Sequence, residues 1–330
     1  MKRSHPPLLL HSFAKLNLYL RVLNKRRDNF HNLNTLFARI DLADTIILKE
    51  RKDNTIKIKC NSRQVPKDKA NLCYRAAALL KQEYKLQNNG LPSFRPQGHG
   101  LASCGQSHKQ SHKLSFGLEI EIKKRIPVGA GLGGGSSNAA SVLLGLNKYW
   151  GLNLSKTKLV KLAAKLGSDV AFFVYDTKFA LGSRRGEKIK PLASLERLKL
   201  WFILVYPGIK VSTPLVYRRF DHFRQAGSKF SQLTIPRHDV KILISELLKR
   251  GHRASSEFLF NSLEVVTAGL YPVVNQVKKA LYGTGLEKVM MSGSGPAVFA
   301  ICGSQKQAQD LSGRLRKKYK SWQVFVSSTV

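Results

Sequence analysis

The sequence predicts an α+β protein of two domains. Two observations carry this: in the first half a strand-period alternation feeds a glycine-rich loop and a helix, and near residue 180 the pattern resets into a second set of strands and helices. A chain of 330 residues, 43% hydrophobic and 9% aromatic, has the apolar content to bury cores of that size. The expected division is 1–180 and 181–330, with a polar insertion over about 87–115 that is rich in Gly, Ser, Gln and His.

Residues 12–21 alternate with the period of a strand, which puts Lys15 and Asn17 on one face and Leu16, Leu18 and Leu20 on the other. Further strands are expected at 45–48 and 55–58, followed by a helix carrying Leu72, Ala76, Leu79 and Leu80. Leu118, Ile120 and Ile122 then alternate with Glu119, Glu121 and Lys123 in a half-buried strand that ends before Pro127. Ser136 and Ser137 are candidate N-caps for a helix running to about Tyr149 and stopped by Gly151. A second helix begins after Ser155 and closes at Gly167. Beyond residue 180 we expect a buried strand over 200–206, a turn at Pro207-Gly208, a polar stretch from about 218 to 237 and a helix over about 240–249. Asn261 can cap another helix, Pro272 suits the first turn of the next and Gly283 its end, and strands flank the loop 292–296. There is no internal repeat.

Lys and Arg number 56 against 20 Asp and Glu, a net charge of +36 that attracts nucleotides, RNA or acidic surfaces. Most of it reads as solvated surface, since charge reports nonspecific attraction more directly than function. Cys60, Cys73, Cys104 and Cys302 are scattered without a CxxC pair, which argues against a disulfide framework or a zinc ribbon and for a reducing cytoplasm. No apolar run approaches membrane-spanning length, and Pro6 to Leu10 is too short for a signal-peptide core. Cys104, His108 and His112 have the spacing of one helix face, but their Gly, Ser and Gln neighbours argue against the helix a metal site would need.

The most informative segment is Pro127-Val128-Gly129-Ala130-Gly131-Leu132-Gly133-Gly134-Gly135-Ser136-Ser137. Glycines let a ligand approach the backbone, and a helix start presents free N–H groups and a positive dipole end to phosphate. Gly129, Gly131 and Gly134 match a dinucleotide-site spacing, yet no acid lies about 20 residues on to hold a ribose. The Walker pattern fails too, because Gly135 is followed by serine and not by lysine.

Pro127 followed by Gly131-Leu132-Gly133-Gly134-Gly135-Ser136-Ser137-Asn138-Ala139-Ala140 resembles the phosphate loop of the GHMP kinases. Ala14-Lys15-Leu16-Asn17-Leu18, the run Arg27-Asp28-Asn29-Phe30-His31 and Gly167-Ser168-Asp169-Val170 narrow the likeness to the members that act on a cytidyl-linked methylerythritol. The resemblance implies an N-terminal domain like domain 2 of ribosomal protein S5, a C-terminal ferredoxin-like domain, and ATP and substrate meeting between them. It implies transfer of the γ-phosphate of ATP, with Mg²⁺, to the C2 hydroxyl of that substrate in the non-mevalonate isoprenoid route. Lys15 and Asp169 match the catalytic pair, and residues 127–137 the ATP loop. Asn17, Phe30, His31, Thr213 and Tyr217 match the substrate side, with His31 bonding the base edge between aromatic walls. Ser137 is a candidate metal ligand; the metal ligands are otherwise open. The expected partner is a small molecule, with no membrane and nucleic acid not favoured, and the expected state is a monomer or weak homodimer.

Taken alone, Asp169 behind Ser168 is an ordinary first-turn acid and Lys15 an ordinary solvated strand lysine. The motif context turns both toward catalysis, because phosphoryl transfer asks chiefly for positioning and charge stabilisation. Phe30 replaces a commoner tyrosine, Ala171 a proline and Ser262 an acid; none removes a proposed catalytic group. Two other readings stand beside this one: a GHMP kinase for a sugar, homoserine or mevalonate-type alcohol, and a basic nucleic-acid-binding protein on a kinase-like scaffold.

Overall fold

The structure is a computed structural model that describes residues 6–51, 53, 55–88, 117–225 and 234–330. Most of the polar insertion, with Cys104, His108 and His112, lies outside the described residues.

Strand β1 (Leu8–Lys25) turns through Asn29 into β2 (His31–Arg51), and the two pair antiparallel along most of their length. Both exceed the alternating segments expected, because the middle of each is buried on both faces and two-sided burial erases alternation. Next come β3 (Ile56–Cys60), α1 (Leu72–Asn88) and β4 (Gly117–Lys123). After the glycine loop follow α2 (Gly134–Tyr149), α3 (Lys156–Leu166), α4 (Val170–Tyr175), β5 (Phe179–Arg184) and β6 (Lys188–Pro191). Ser155 caps α3 through its side chain and Gly167 closes it, as expected. Ser136 and Ser137 do not cap α2. The helix starts earlier, behind Gly133 at φ 70°, with no side-chain cap.

The second half carries β7 (Trp201–Tyr206), α5 (Thr213–Gln225), α6 (Val240–Arg250), β8 (Phe260–Asn261), α7 (Glu264–Leu270), α8 (Val273–Tyr282), β9 (Val289–Met291), β10 (Val298–Cys302), α9 (Gln305–Lys318) and β11 (Gln323–Ser328). The polar stretch expected from residue 218 is helical as far as Gln225, since Val216 and Phe220 lie one turn apart and both are buried. Asn261 is not a helix cap but part of β8; its side chain donates to the carbonyls of Met291 and Gly293 at 2.8 Å each and so holds the loop 292–296.

Among the described residues, one sheet runs β3-β4-β2-β1-β8, with β5 also on β2 and β6 beyond it, and the other runs β11-β7-β10-β9. The first sheet buries one face under α1 to α4, around Ile120, Leu143 and Phe172. In β7 the two-residue period sorts the core: Ile203 and Val205 face α5, α8 and α9, while Phe202 and Leu204 pack with Leu16, Leu18 and Ile40 of the first sheet. This shared core fixes how the domains meet, and their cleft holds the glycine loop. Cys60, Cys73 and Cys302 are free. No described helix is long and apolar enough to cross a membrane.

Candidate active site

A cleft of about 980 Å³ opens between the two units, with residues 127–136 along one wall. Apolar side chains alternate with glycines here for a physical reason. Ala130 and Leu132 are buried in the inter-sheet core and anchor the loop, while Gly129, Gly131 and Gly133 take positive φ of 70°, 79° and 70° and keep the backbone bare toward the cleft. A Cβ on Gly131 would lie 2.1 Å from the Ser292 carbonyl oxygen. That approach is used: Ser292 Oγ donates to the Gly131 carbonyl at 3.1 Å, and the Ala297 N–H to the Ala130 carbonyl at 3.2 Å. The second unit thereby clamps the phosphate-loop candidate.

Gly131→Ala therefore combines left-handed strain of about 1–2 kcal/mol with a backbone collision. Gly285, at φ 85° with nothing within 4 Å of an added Cβ, isolates the strain alone. We expect Gly131→Ala to weaken nucleotide binding at least about tenfold in a titration, and Gly285→Ala to lower thermal stability while leaving nucleotide affinity intact.

Lys15 reaches the cleft floor from β1. It is 3% exposed, not a solvated edge lysine, because at this point β2 pairs with one edge of β1 and the glycine loop covers the other. Its Nζ lies 2.5 Å from Asn17 Oδ1 and 3.5 Å from Asp169 Oδ2, and its main-chain N–H donates to the Leu132 carbonyl at 3.0 Å. Burial pushes the ammonium pKa down, and the Asp169 charge and hydrogen bond oppose that shift. Asp169 stands at the start of α4, yet its side chain makes no capping bond; the carboxylate faces the cleft, one third exposed. The Asn17 amide donates to Thr35 Oγ at 2.8 Å, which fixes its oxygen toward Lys15.

The far end of the cleft gathers the expected aromatic residues. Phe30, at the β1–β2 turn, is 51% exposed, and the Arg185 guanidinium lies 5.0 Å from its ring centre. His31 is buried; Tyr217 stacks on it at 5.1 Å and Phe220 meets it edge-on at 6.1 Å. Burial raises the Tyr217 hydroxyl pKa well above the ordinary value, with the Asp169 charge adding to it. Thr213 Oγ bonds Ser294 Oγ at 2.7 Å, a tie between α5 and the loop 292–296. Of the residues expected from sequence, Ser137 stands apart. It is 2% exposed, does not line the cleft, and its hydroxyl accepts from Ser12 at 2.7 Å.

The sequence reading missed the support beneath the loop. Asp44, fully buried, accepts from the N–H groups of Arg125 and Ile126 at 2.7 and 2.9 Å, from the Asn138 amide at 2.9 Å and from Lys124 Nζ. In the sequence Asp44 shows only as an acid at the start of an apolar strand run, which names none of these partners. The sequence reading also missed Asp221, whose carboxylate lies 2.5 Å from His31 Nε2 and 2.8 Å from Lys25 Nζ. Burial raises the Asp221 pKa, and the hydrogen bonds from Lys25 and His31 outweigh it, so the carboxyl is held below its usual range.

An uncapped helix start behind a bare glycine loop, facing a buried lysine and an open carboxylate, is an arrangement for phosphoryl transfer. Comparison with known proteins agrees. The family model for the N-terminal domain of GHMP kinases matches residues 71–177, and that for the C-terminal domain matches 242–321. A 4-diphosphocytidyl-2-C-methyl-D-erythritol kinase from Geobacillus sp. (strain WCH70) is 38% identical over 94% of this chain and 93% of its own length. One from Bacillus subtilis (strain 168) is 37% identical over 92% and 91%. A crystal structure of 4-(cytidine 5'-diphospho)-2C-methyl-D-erythritol kinase superposes with a TM-score of 0.70 at 30% identity, covering 97% of this chain and 98% of that one. The chain belongs to the GHMP kinase family, in the branch that holds these kinases.

Proposed function

We propose that the protein transfers the γ-phosphate of ATP to the C2 hydroxyl of 4-diphosphocytidyl-2-C-methyl-D-erythritol, giving the 2-phosphate and ADP for isoprenoid synthesis. The observation that carries this reading is the Lys15–Asp169 pair, at 3.5 Å, set in one cleft with the glycine loop and the Phe30, His31 and Tyr217 cluster.

In this reading the N–H groups of residues 133–136 receive the ATP phosphates at the start of α2, where helix dipole and unpaired donors favour negative charge. Asp169 takes or orients the proton of the acceptor hydroxyl. Lys15, held by Asn17 and relieved of water, stabilises charge on the transferring group. Phe30 and Tyr217 wall the cytidyl base, His31 bonds its edge, and Asn17 and Thr213 complete the substrate side. For this work the chain divides near residue 180, with the loop and the catalytic pair in the first part and Thr213 and Tyr217 in the second.

Among the described residues no group of three His, Cys, Asp or Glu could hold a metal ion. Mg²⁺ carried by nucleotide phosphates and water asks for only one or two protein oxygens, and the Ser136 hydroxyl on the cleft wall would supply one. When bound, the ion offsets charge on the β- and γ-phosphates. Ser137 is unsuited, since its hydroxyl is engaged with Ser12 behind the loop. We further place the enzyme in the cytoplasm as a monomer or weak homodimer acting on a small molecule.

Incubation with Mg-ATP and the diphosphocytidyl alcohol is expected to give the 2-phosphate, with ADP released one for one. Folded, nucleotide-binding protein that yields no such product, yet phosphorylates homoserine or mevalonate, would refute the substrate and leave the family.

A further inference from the structure

Asp221 has no part in the reaction as derived so far, yet it is bonded directly to a residue that does. It follows Tyr217 by one helical turn of α5, so one helix face presents both the ring that stacks on His31 and the carboxylate that meets its Nε2 at 2.5 Å. Phe220 closes the edge of the imidazole at an interplanar angle of 88°, and only 6% of His31 is exposed. The ring is therefore held in plane by Tyr217 and Phe220 and in rotation by Asp221. Lys25, 2.8 Å from the other carboxylate oxygen, keeps Asp221 anionic. An ionised carboxylate only accepts, so the imidazole proton belongs on Nε2 and a neutral ring leaves Nδ1 as an acceptor. No bond to Nδ1 is made among the described residues, and His31 lines the cleft.

We propose that Asp221 is a positioning residue that fixes His31 as the Nε2–H tautomer and thereby makes the site select cytosine over uracil. The inference rests on the cytidyl reading above. Cytosine carries an exocyclic amine, a donor, where uracil carries a carbonyl oxygen. A fixed Nδ1 lone pair accepts from the amine and repels the oxygen. A site built to make such a bond rejects the base that cannot make it, because a desolvated acceptor is left unpaired.

The test measures competition by CDP and by UDP against the diphosphocytidyl substrate at saturating ATP, for wild type and for Asp221→Asn. It also measures ¹⁵N shifts of the His31 ring in the wild type. An asparagine keeps the size but can turn its amide donor to Nε2, which moves the ring proton to Nδ1. We expect the wild type to favour CDP by at least about tenfold and to show an Nε2–H ring. In Asp221→Asn the preference should fall to within about threefold, with the loss of kcat/KM lying mainly in KM, as for a lost binding contact. An unchanged CDP preference in the variant, or a wild-type ring protonated on Nδ1, overturns the role of Asp221 while leaving the substrate reading intact. A wild type on which CDP and UDP compete equally overturns the selectivity and with it the role of Asp221; a wild type that binds ATP but does not turn over the diphosphocytidyl substrate overturns the substrate reading as well. The ring measurement needs only the wild type, so the proposal stays open to refutation even where the variant does not fold.

Discussion

Asp169→Asn is expected to lower kcat by about a thousandfold, within the range of about 10²–10⁴ for losing a positioned acid or base. Nucleotide affinity should stay within about threefold. The two readouts separate because Asp169 is not structural: it makes no capping bond to α4, and a third of its side chain is open to the cleft. The glycine loop does not lean on it either, being held by Ser292 and by the Lys15 main chain. Single-turnover kinetics with saturating ATP would check this, and a kcat within tenfold of wild type would remove Asp169 from the chemistry.

The same substitution has a consequence for stability. Burial lowers the folded-state pKa of Lys15 below its unfolded value, so across the interval between the two the unfolded chain holds more protons and stability rises with pH. Asp169 works against that shift. Without it the folded pKa drops further, and the alkaline rise in stability begins at lower pH. Thermal unfolding followed from neutral to alkaline pH would show the earlier rise.

Local pattern made the glycine loop, α3 and the strand before the loop legible in the sequence. Each is contiguous, and its physics is written in neighbouring residues: glycine spacing, a Ser155 cap, the alternation of 118–123. The length of β2 was not legible. Its central residues Thr35 to Ala38 are buried on both faces between β1 and β5, so no polar residue marks every second position. Leu8 to Leu10 was hidden for a related reason, an apolar run without period that pairs with Ile46 to Leu48.

Within the site, the residues that face the cleft could be named from motifs, whereas those that support them could not. His31 and Asp221 are 190 residues apart, Lys124 and Asp44 are 80, and Asn138 and Asp44 are 94. A lone acid carries no local sign of partners so distant, and Asp44 reads as one more polar residue at a strand end. The capping role expected of Ser136 and Ser137 failed on the same ground. Ser137 engages its hydroxyl with Ser12, a residue 125 positions earlier, and the helix runs back to Gly134 with no side chain capping its first donors.

Asp44→Ala is expected to cost the most stability of any single change considered, about 3–5 kcal/mol in denaturant unfolding. The carboxylate is completely buried and answers four donors at once, so alanine strands the Lys124 ammonium, itself 8% exposed, together with two main-chain N–H groups and an amide. Those donors lie at both ends of the glycine loop: Arg125 and Ile126 lead into it, and Asn138 sits in the first turns of α2. Nucleotide affinity should fall along with stability, which distinguishes this site from a remote core defect. The double variant Asp44→Asn/Lys124→Met separates the two parts of the effect. Asparagine keeps an oxygen for the two N–H groups, and methionine removes the cation that needs a charge partner. If the cost of Asp44→Ala comes mainly from the unpaired lysine, the double variant recovers most of the lost stability. If it comes from the backbone N–H groups, Asp44→Asn alone recovers as much, and the lysine is incidental to holding the loop.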